Sequence, residues 1–129
     1  MSRVLLDTHI LLWSQNERER LPAAVDALMA LPETELYFSV ASIWEIAIKQ
    51  SQGRRDFNIH PGALRNALVG AGYVELPLRG EHSVALMSLP LIHRDPFDRM
   101  LLAQAIVEGI ELVTVDADLA LYPGPIRVF

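Results

Sequence analysis

The sequence contains no cysteine, no apolar run near the ~20 residues that span a bilayer, no internal repeat and no excess of basic residues. Without cysteine there are no disulfides, no thiolate metal sites and no cysteine nucleophile, which fits a reducing cytoplasm. Met1-Ser2-Arg3 is followed by only three apolar residues before Asp7, so neither export nor membrane insertion is expected. Formal net charge is −5, from 16 acidic against 11 basic residues, which excludes a polycation that grips nucleic acid by bulk charge. Apolar residues are plentiful instead: 51% of the chain is hydrophobic and mean hydropathy is +0.24, too apolar for intrinsic disorder. A chain of 129 residues is the size of one domain, and residues 1–129 are expected to form a single unit with a real core.

Strands and helices alternate along the chain. Arg3-Val4-Leu5-Leu6-Asp7 is an unbroken apolar run ending in an acid, the pattern of a strand buried on both faces. Thr8–Ser14 reads as a helix, Pro22 opens a second one ending near Leu31, and Leu36–Ser39 is a short strand leading into a helix over Val40–Gln50. Residues 51–56 are a polar loop. Pro61–Ala71, Tyr73–Leu78 and Glu81–Leu89 read as helix, strand and helix. Asp95-Pro96-Phe97-Asp98 is a helix start, with Asp at the N-cap and Pro at the first helical position, and Gly109 marks the stop after Glu108. Glu111–Asp116 repeats the opening pattern, and Ile126–Phe129 is a last strand. The alternation predicts an α/β fold: a three-layer α/β/α sandwich around a central, mostly parallel sheet.

In such a sheet, ligands bind beyond the carboxyl ends of the strands, where Asp7 and Asp116 both fall. Glu45, early in the helix after the second strand, and Asp98, in the first turn of its helix, can reach the same rim. Carboxylates brought that close repel one another unless a cation neutralises them, and all-oxygen ligation selects Mg²⁺ or Mn²⁺. Phosphodiester hydrolysis is the chemistry that such a site serves.

Each acid also fits a structural role. Asp7, Asp98 and Asp116 suit helix or turn starts, and Glu45 stands three residues after Ser42, a capping-box spacing, and four before Lys49, a helix ion-pair spacing. Joint placement at one rim, rather than any acid alone, points to a metal site. Thr8 and Thr114 flank the strand-end acids and are candidates to orient a water or phosphate, or to serve as turn and cap residues. Lys49, His93, Arg94 and Arg99 are candidate RNA contacts. His9 has no second ligand at zinc spacing, Asp95 is read as an N-cap and Asp118 as a surface acid. Trp13 and Trp44, with Leu12, Ile43 and Ile48, are read as packing residues. Leu11, Leu12, Trp13, Ile43 and Trp44 suit either core or a groove for a partner helix.

Leu5-Leu6-Asp7-Thr8-His9, Ser42-Ile43-Trp44-Glu45-Ile46-Ala47-Ile48-Lys49, His93-Arg94-Asp95-Pro96-Phe97-Asp98-Arg99 and Leu112-Val113-Thr114-Val115-Asp116 occur in this order and spacing over essentially the whole chain. Together they resemble the PIN-domain ribonucleases, and specifically VapC-type toxins of toxin–antitoxin pairs. The resemblance implies a PIN-like fold and a Mg²⁺- or Mn²⁺-dependent endoribonuclease with its acidic quartet on Asp7, Glu45, Asp98 and Asp116. It makes Thr114 the hydroxyl residue before the last acid. It also implies a homodimer, a cytoplasmic RNA substrate such as tRNA or ribosomal RNA, and a cognate antitoxin whose helix lies in a groove. A PIN nuclease that processes RNA without being a toxin, and a catalytically silent PIN binding module, are the alternatives. A dehalogenase-type phosphotransferase needs a second Asp two residues after the first, where this chain has His9, and a receiver-like signalling module needs adjacent N-terminal acids and a mid-chain phosphoacceptor that are not apparent.

Overall fold

A computed structural model describes residues 2–129. Five strands form one sheet: β1 (Ser2–Leu6), β2 (Thr34–Ser39), β3 (Val74–Leu76), β4 (Glu111–Thr114) and β5 (Ile126–Val128). Six α-helices connect them: α1 (Thr8–Asn16), α2 (Ala23–Ala30), α3 (Val40–Ser51), α4 (Pro61–Gly70), α5 (Gly80–Ala85) and α6 (Pro96–Glu108). The strand order is β3-β2-β1-β4-β5, and every neighbouring pair is parallel, so the expected mostly parallel sheet is parallel throughout.

The alternation of side chains along β1 separates the layers. Val4 and Leu6 join the core under α1, α2 and α4, with Ile10, Leu11, Val25, Leu64 and Leu68, whereas Leu5 joins the core under α6, with Leu101, Leu102 and Leu112. Both faces of the sheet are thus covered by helices, which is why the strands read as continuous apolar runs.

Several local boundaries differ from the sequence reading. β2 begins at Thr34, because its pairing with β1 starts at Ser2↔Thr34, ahead of the apolar run at Leu36. The stretch 81–89 divides into α5 and a tighter turn over Leu86–Ser88. The end of the polar loop runs into a single turn over Arg55–Phe57 that places Phe57 in the core at 0% exposure. The N-cap of α3 is Ser39, whose hydroxyl accepts from Ala41 N–H at 2.9 Å. Ser42 therefore lies inside the helix, and its spacing to Glu45 is not a capping box. At the other end of the fold, α6 closes on Gly109 in the left-handed region (φ +68°), a conformation that turns the chain directly into β4.

Gln104, fully buried on α6, ties the layers together. Its side-chain oxygen accepts from the Ser39 hydroxyl, and its nitrogen donates to the Pro77 carbonyl at 3.2 Å. Gln104→Leu takes this partner from the buried Ser39 hydroxyl and from the Pro77 carbonyl. The expected cost is roughly 1–3 kcal/mol, read as a lower urea midpoint at unchanged slope.

Candidate active site

The strand order reverses between β1 and β4, and the crevice beyond their carboxyl ends is where a doubly wound sheet offers a binding site. Asp7 follows β1 directly. It caps α1, with Oδ1 accepting from Ile10 N–H at 3.1 Å, and its Oδ2 accepts from the hydroxyl of Thr114, the last residue of β4. Asp116 lies two residues further on. Its own N–H donates to Thr114 Oγ1 at 3.0 Å, so a single hydroxyl fixes the spacing of the two strand-end acids. Asp98 enters from the side, in the first turn of α6, a helix fixed at its start by Asp95 accepting from Phe97 and Asp98 N–H. His93 Nε2 is 2.8 Å from Asp116 Oδ2 and 3.3 Å from Asp98 Oδ2. One donor atom each from His93, Asp98 and Asp116 lie within 4.8 Å of one another.

Glu45 is buried in α3 with both carboxylate oxygens engaged. Oε1 accepts from the Thr8 hydroxyl at 2.7 Å, which itself lies 2.9 Å from the Ser42 hydroxyl, and Oε2 accepts from Lys49 Nζ at 2.5 Å. The four predicted acids are therefore brought to one end of the sheet. Asp98 and Asp116 meet at His93, Asp7 is tied to Asp116 through the Thr114 hydroxyl, and Glu45 is joined to Asp7 through the adjacent Thr8.

The charge balance of this pocket is unfavourable without a cation. Burial pushes the Asp98 carboxyl up to about 8, and the negative charges of Asp95, Asp7 and Glu45 add to the shift. Burial also raises Asp7, against the opposing hydrogen bond from Thr114. Around His93, burial disfavours the imidazolium, but the hydrogen bond to Asp116 and the charges of Asp98, Asp116 and Asp95 outweigh it and hold the ring above its ordinary value. Acids that cannot all ionise, presenting hard oxygen donors at one point, fit a divalent cation of the Mg²⁺ or Mn²⁺ type.

The structure revises the roles of several neighbours. Arg99, expected at RNA, turns one guanidinium nitrogen to the carbonyls of Leu86 and Leu89, tying α6 to the turn before it. Arg94 is exposed. Lys49, also expected at RNA, is held between Glu45 and Asp95. His93, read as a phosphate contact, instead spans two of the acids. Trp44, read as a packing residue, is 54% exposed with its ring edge-on to Phe97 at 5.1 Å, because the buried face of α3 runs through Ala41, Ser42, Glu45 and Ile46. Leu11 and Leu12 are core, leaving only part of the imagined groove: Val40, Ile43, Trp44 and Ala47 line an open depression of about 450 Å³ with Pro61. The His9 ring packs tilted against Trp13 at 5.8 Å and in a T-shaped arrangement with Phe57 at 5.3 Å. Asp118 is exposed.

Sequence reading missed Tyr122. Its hydroxyl accepts from the N–H of Ile92 at 3.2 Å and of His93 at 2.7 Å, and donates to the His93 carbonyl at 3.3 Å, so it fixes the segment that carries His93. A lone aromatic in a Pro/Gly-containing tail was the available signal.

The shift at Asp98 sets a sign for stability. Its carboxyl is raised from 3.8 to about 8 on folding, so in EDTA the protein is expected to lose stability as pH rises from about 4 to about 8. Asp98→Asn should flatten that part of the profile, measured as midpoint of thermal unfolding against pH.

The family model for the PIN domain matches residues 4–125. No curated protein sequence matches the chain. Among solved structures, VapBC2 from Rickettsia felis bound to a DNA fragment from its promoter is similar at TM-score 0.73 and 13% identity, covering 98% of each chain. DNA-bound VapBC from Salmonella typhimurium is similar at TM-score 0.69 and 16% identity, over 100% of this chain and 98% of that one. A toxin–antitoxin complex from Klebsiella pneumoniae gives TM-score 0.63 at 20% identity, over 97% and 96%. At such identities these likenesses speak to the fold, and they agree with the parallel five-stranded sheet and its two helical layers. Matched over nearly its whole length, with its acids gathered at the switch point of that sheet, the chain belongs to the PIN domain family.

Proposed function

We propose that this chain is a Mg²⁺- or Mn²⁺-dependent endoribonuclease, the toxin of a toxin–antitoxin pair that inhibits translation by cutting structured RNA in the cytoplasm. The observation that carries the reading is the cluster of Asp98, Asp116 and His93 at the β1/β4 switch point, tied to Asp7 through Thr114, where burial and the charges of Asp95, Asp7 and Glu45 push the Asp98 carboxyl up to about 8. Membership of the PIN family and the toxin–antitoxin complexes among its structural neighbours support it.

In this reading Asp7, Asp98 and Asp116 hold the cation, directly or through water, and Glu45 orients the attacking water or a further ion. Bound there, the cation supplies an acidified water and charge neutralisation at the scissile phosphate. Thr114 keeps the Asp7 and Asp116 carboxylates in register, and Thr8 does the same for Glu45. Hydrolysis forms the bond between the water oxygen and phosphorus and breaks a bond to a ribose oxygen; the proton lost by the water passes to solvent, and the departing ribose oxygen takes up a proton from solvent to become a hydroxyl.

The partners follow from the same reading. The depression beside exposed Trp44 is a candidate seat for an antitoxin helix, and a homodimer of single-domain chains is the expected assembly. Among the described residues no helix is long and apolar enough to cross a membrane.

Purified protein incubated with total RNA is expected to cut it with Mg²⁺ or Mn²⁺ and to stop with EDTA. Asp7→Asn removes a ligand charge at constant volume, so cleavage should fall at least about 100-fold, beyond the ~10–100-fold typical of losing an outer partner. Expression of the wild type alone should arrest growth, and Asp7→Asn should relieve it. Cleavage that persists in EDTA rejects the metal mechanism, and a harmless wild type that still cuts RNA rejects the toxin assignment.

A further inference from the structure

We propose that the Lys49 ammonium takes the place of a second divalent cation, so that this active site works with one metal ion and a lysine facing the scissile phosphate. The inference rests on the nuclease reading above and concerns how that site carries its charge.

The geometry around Glu45 leads there. Its Oε1 is taken by the Thr8 hydroxyl, and its Oε2 lies 2.5 Å from Lys49 Nζ. A divalent ion bound to Oε2 at the ~2.1 Å of Mg²⁺ coordination would sit no more than about 4.6 Å from that ammonium, two cations in contact across one buried oxygen. Glu45 is 2% exposed, so little water is at hand to screen them. The same nitrogen is 3.8 Å from Asp95 Oδ2, and Asp95 is the residue that caps the helix carrying Asp98. Lys49 thus stands between the Glu45 carboxylate and Asp95, and holds the Glu45 oxygen that a second ion would need.

Nothing about Lys49 is loosely held. It is one turn beyond Glu45 on α3, and its ammonium lies over the face of Phe57 at 4.7 Å and of Phe97 at 5.7 Å. Two aromatic faces and two carboxylates fix the charge in place without burying it, since 17% of the side chain stays exposed. In the reaction Lys49 supplies charge and a hydrogen bond to a non-bridging phosphate oxygen. It neither takes nor gives a proton, and no bond beyond those of the hydrolysis is made or broken.

The test counts metal and measures turnover on the intact chain. Mn²⁺ titrated into wild type and followed by electron paramagnetic resonance should give one tight site per chain. Lys49→Met, close in length and uncharged, should keep that tight site and lower kcat by about 100-fold or more on an RNA oligonucleotide copied from a site the wild type cuts, with KM little changed. Lys49→Arg should recover part of the loss. Two tight Mn²⁺ ions in the wild type overturn the proposal, as does a Lys49→Met kcat within about threefold of wild type, or a loss confined to KM. If Lys49→Met loses its circular-dichroism signature, Lys49→Gln is read in its place against the same limits. A wild type that binds no Mn²⁺ and cuts no RNA overturns the nuclease reading itself, whereas an active, metal-dependent wild type holding two ions overturns only the role given to Lys49.

Discussion

Gathering several carboxylates in a half-buried crevice is the constraint around which the rest of this molecule is arranged. Each ionised acid removed from water is costly, and each added neighbour of the same sign makes the next one costlier. The fold offsets the cost with fixed dipoles and hydroxyls. Asp7 sits at the N-terminus of α1 and Asp98 in the first turn of α6, where the helix ends present partial positive charge and unpaired N–H groups. Thr114 serves Asp7 and Asp116, and Thr8 serves Glu45. The Lys49 ammonium and the His93 ring complete the arrangement.

The same devices are structural and functional at once, which explains why each acid alone reads equally well as a cap. Asp7 does cap α1, and Asp116 does cap the turn that follows β4, accepting from Asp118 N–H at 3.0 Å. A cap uses one carboxylate oxygen and leaves the other to face the crevice. In Asp116 that second oxygen reaches His93, and in Asp7 it receives the Thr114 hydroxyl. Capping therefore aims these acids.

Scaffold rigidity comes from elements far from the charges. The buried Gln104 joins α6 to the start of α3, so the helices bearing Asp98 and Glu45 are positioned against one another through an amide in the core. Tyr122 gathers the backbone of Ile92 and His93 and so sets how the chain enters α6. These contacts are neutral, and they hold their geometry whatever the ionisation of the pocket.

Much of the layout was readable from residues alone, because strands buried on both faces, proline-started helices and a glycine stop are written in neighbours a few positions apart. The placement of Asp7 and Asp116 at strand ends and of Asp98 at a helix start followed from the same local rules. Ser39 as the cap of α3, the exposed Trp44 and the inward turn of Arg99 did not, since each depends on which face of an element meets the core. Tertiary structure alone decided that β1 lies beside β4. That pairing brings Asp7 to a hydroxyl 107 residues away, and the packing of α1 against α3 brings the Thr8 hydroxyl to Glu45. Distance along the chain carries no information about such meetings; they are fixed by strand order and by the packing of two helical layers on a twisted sheet.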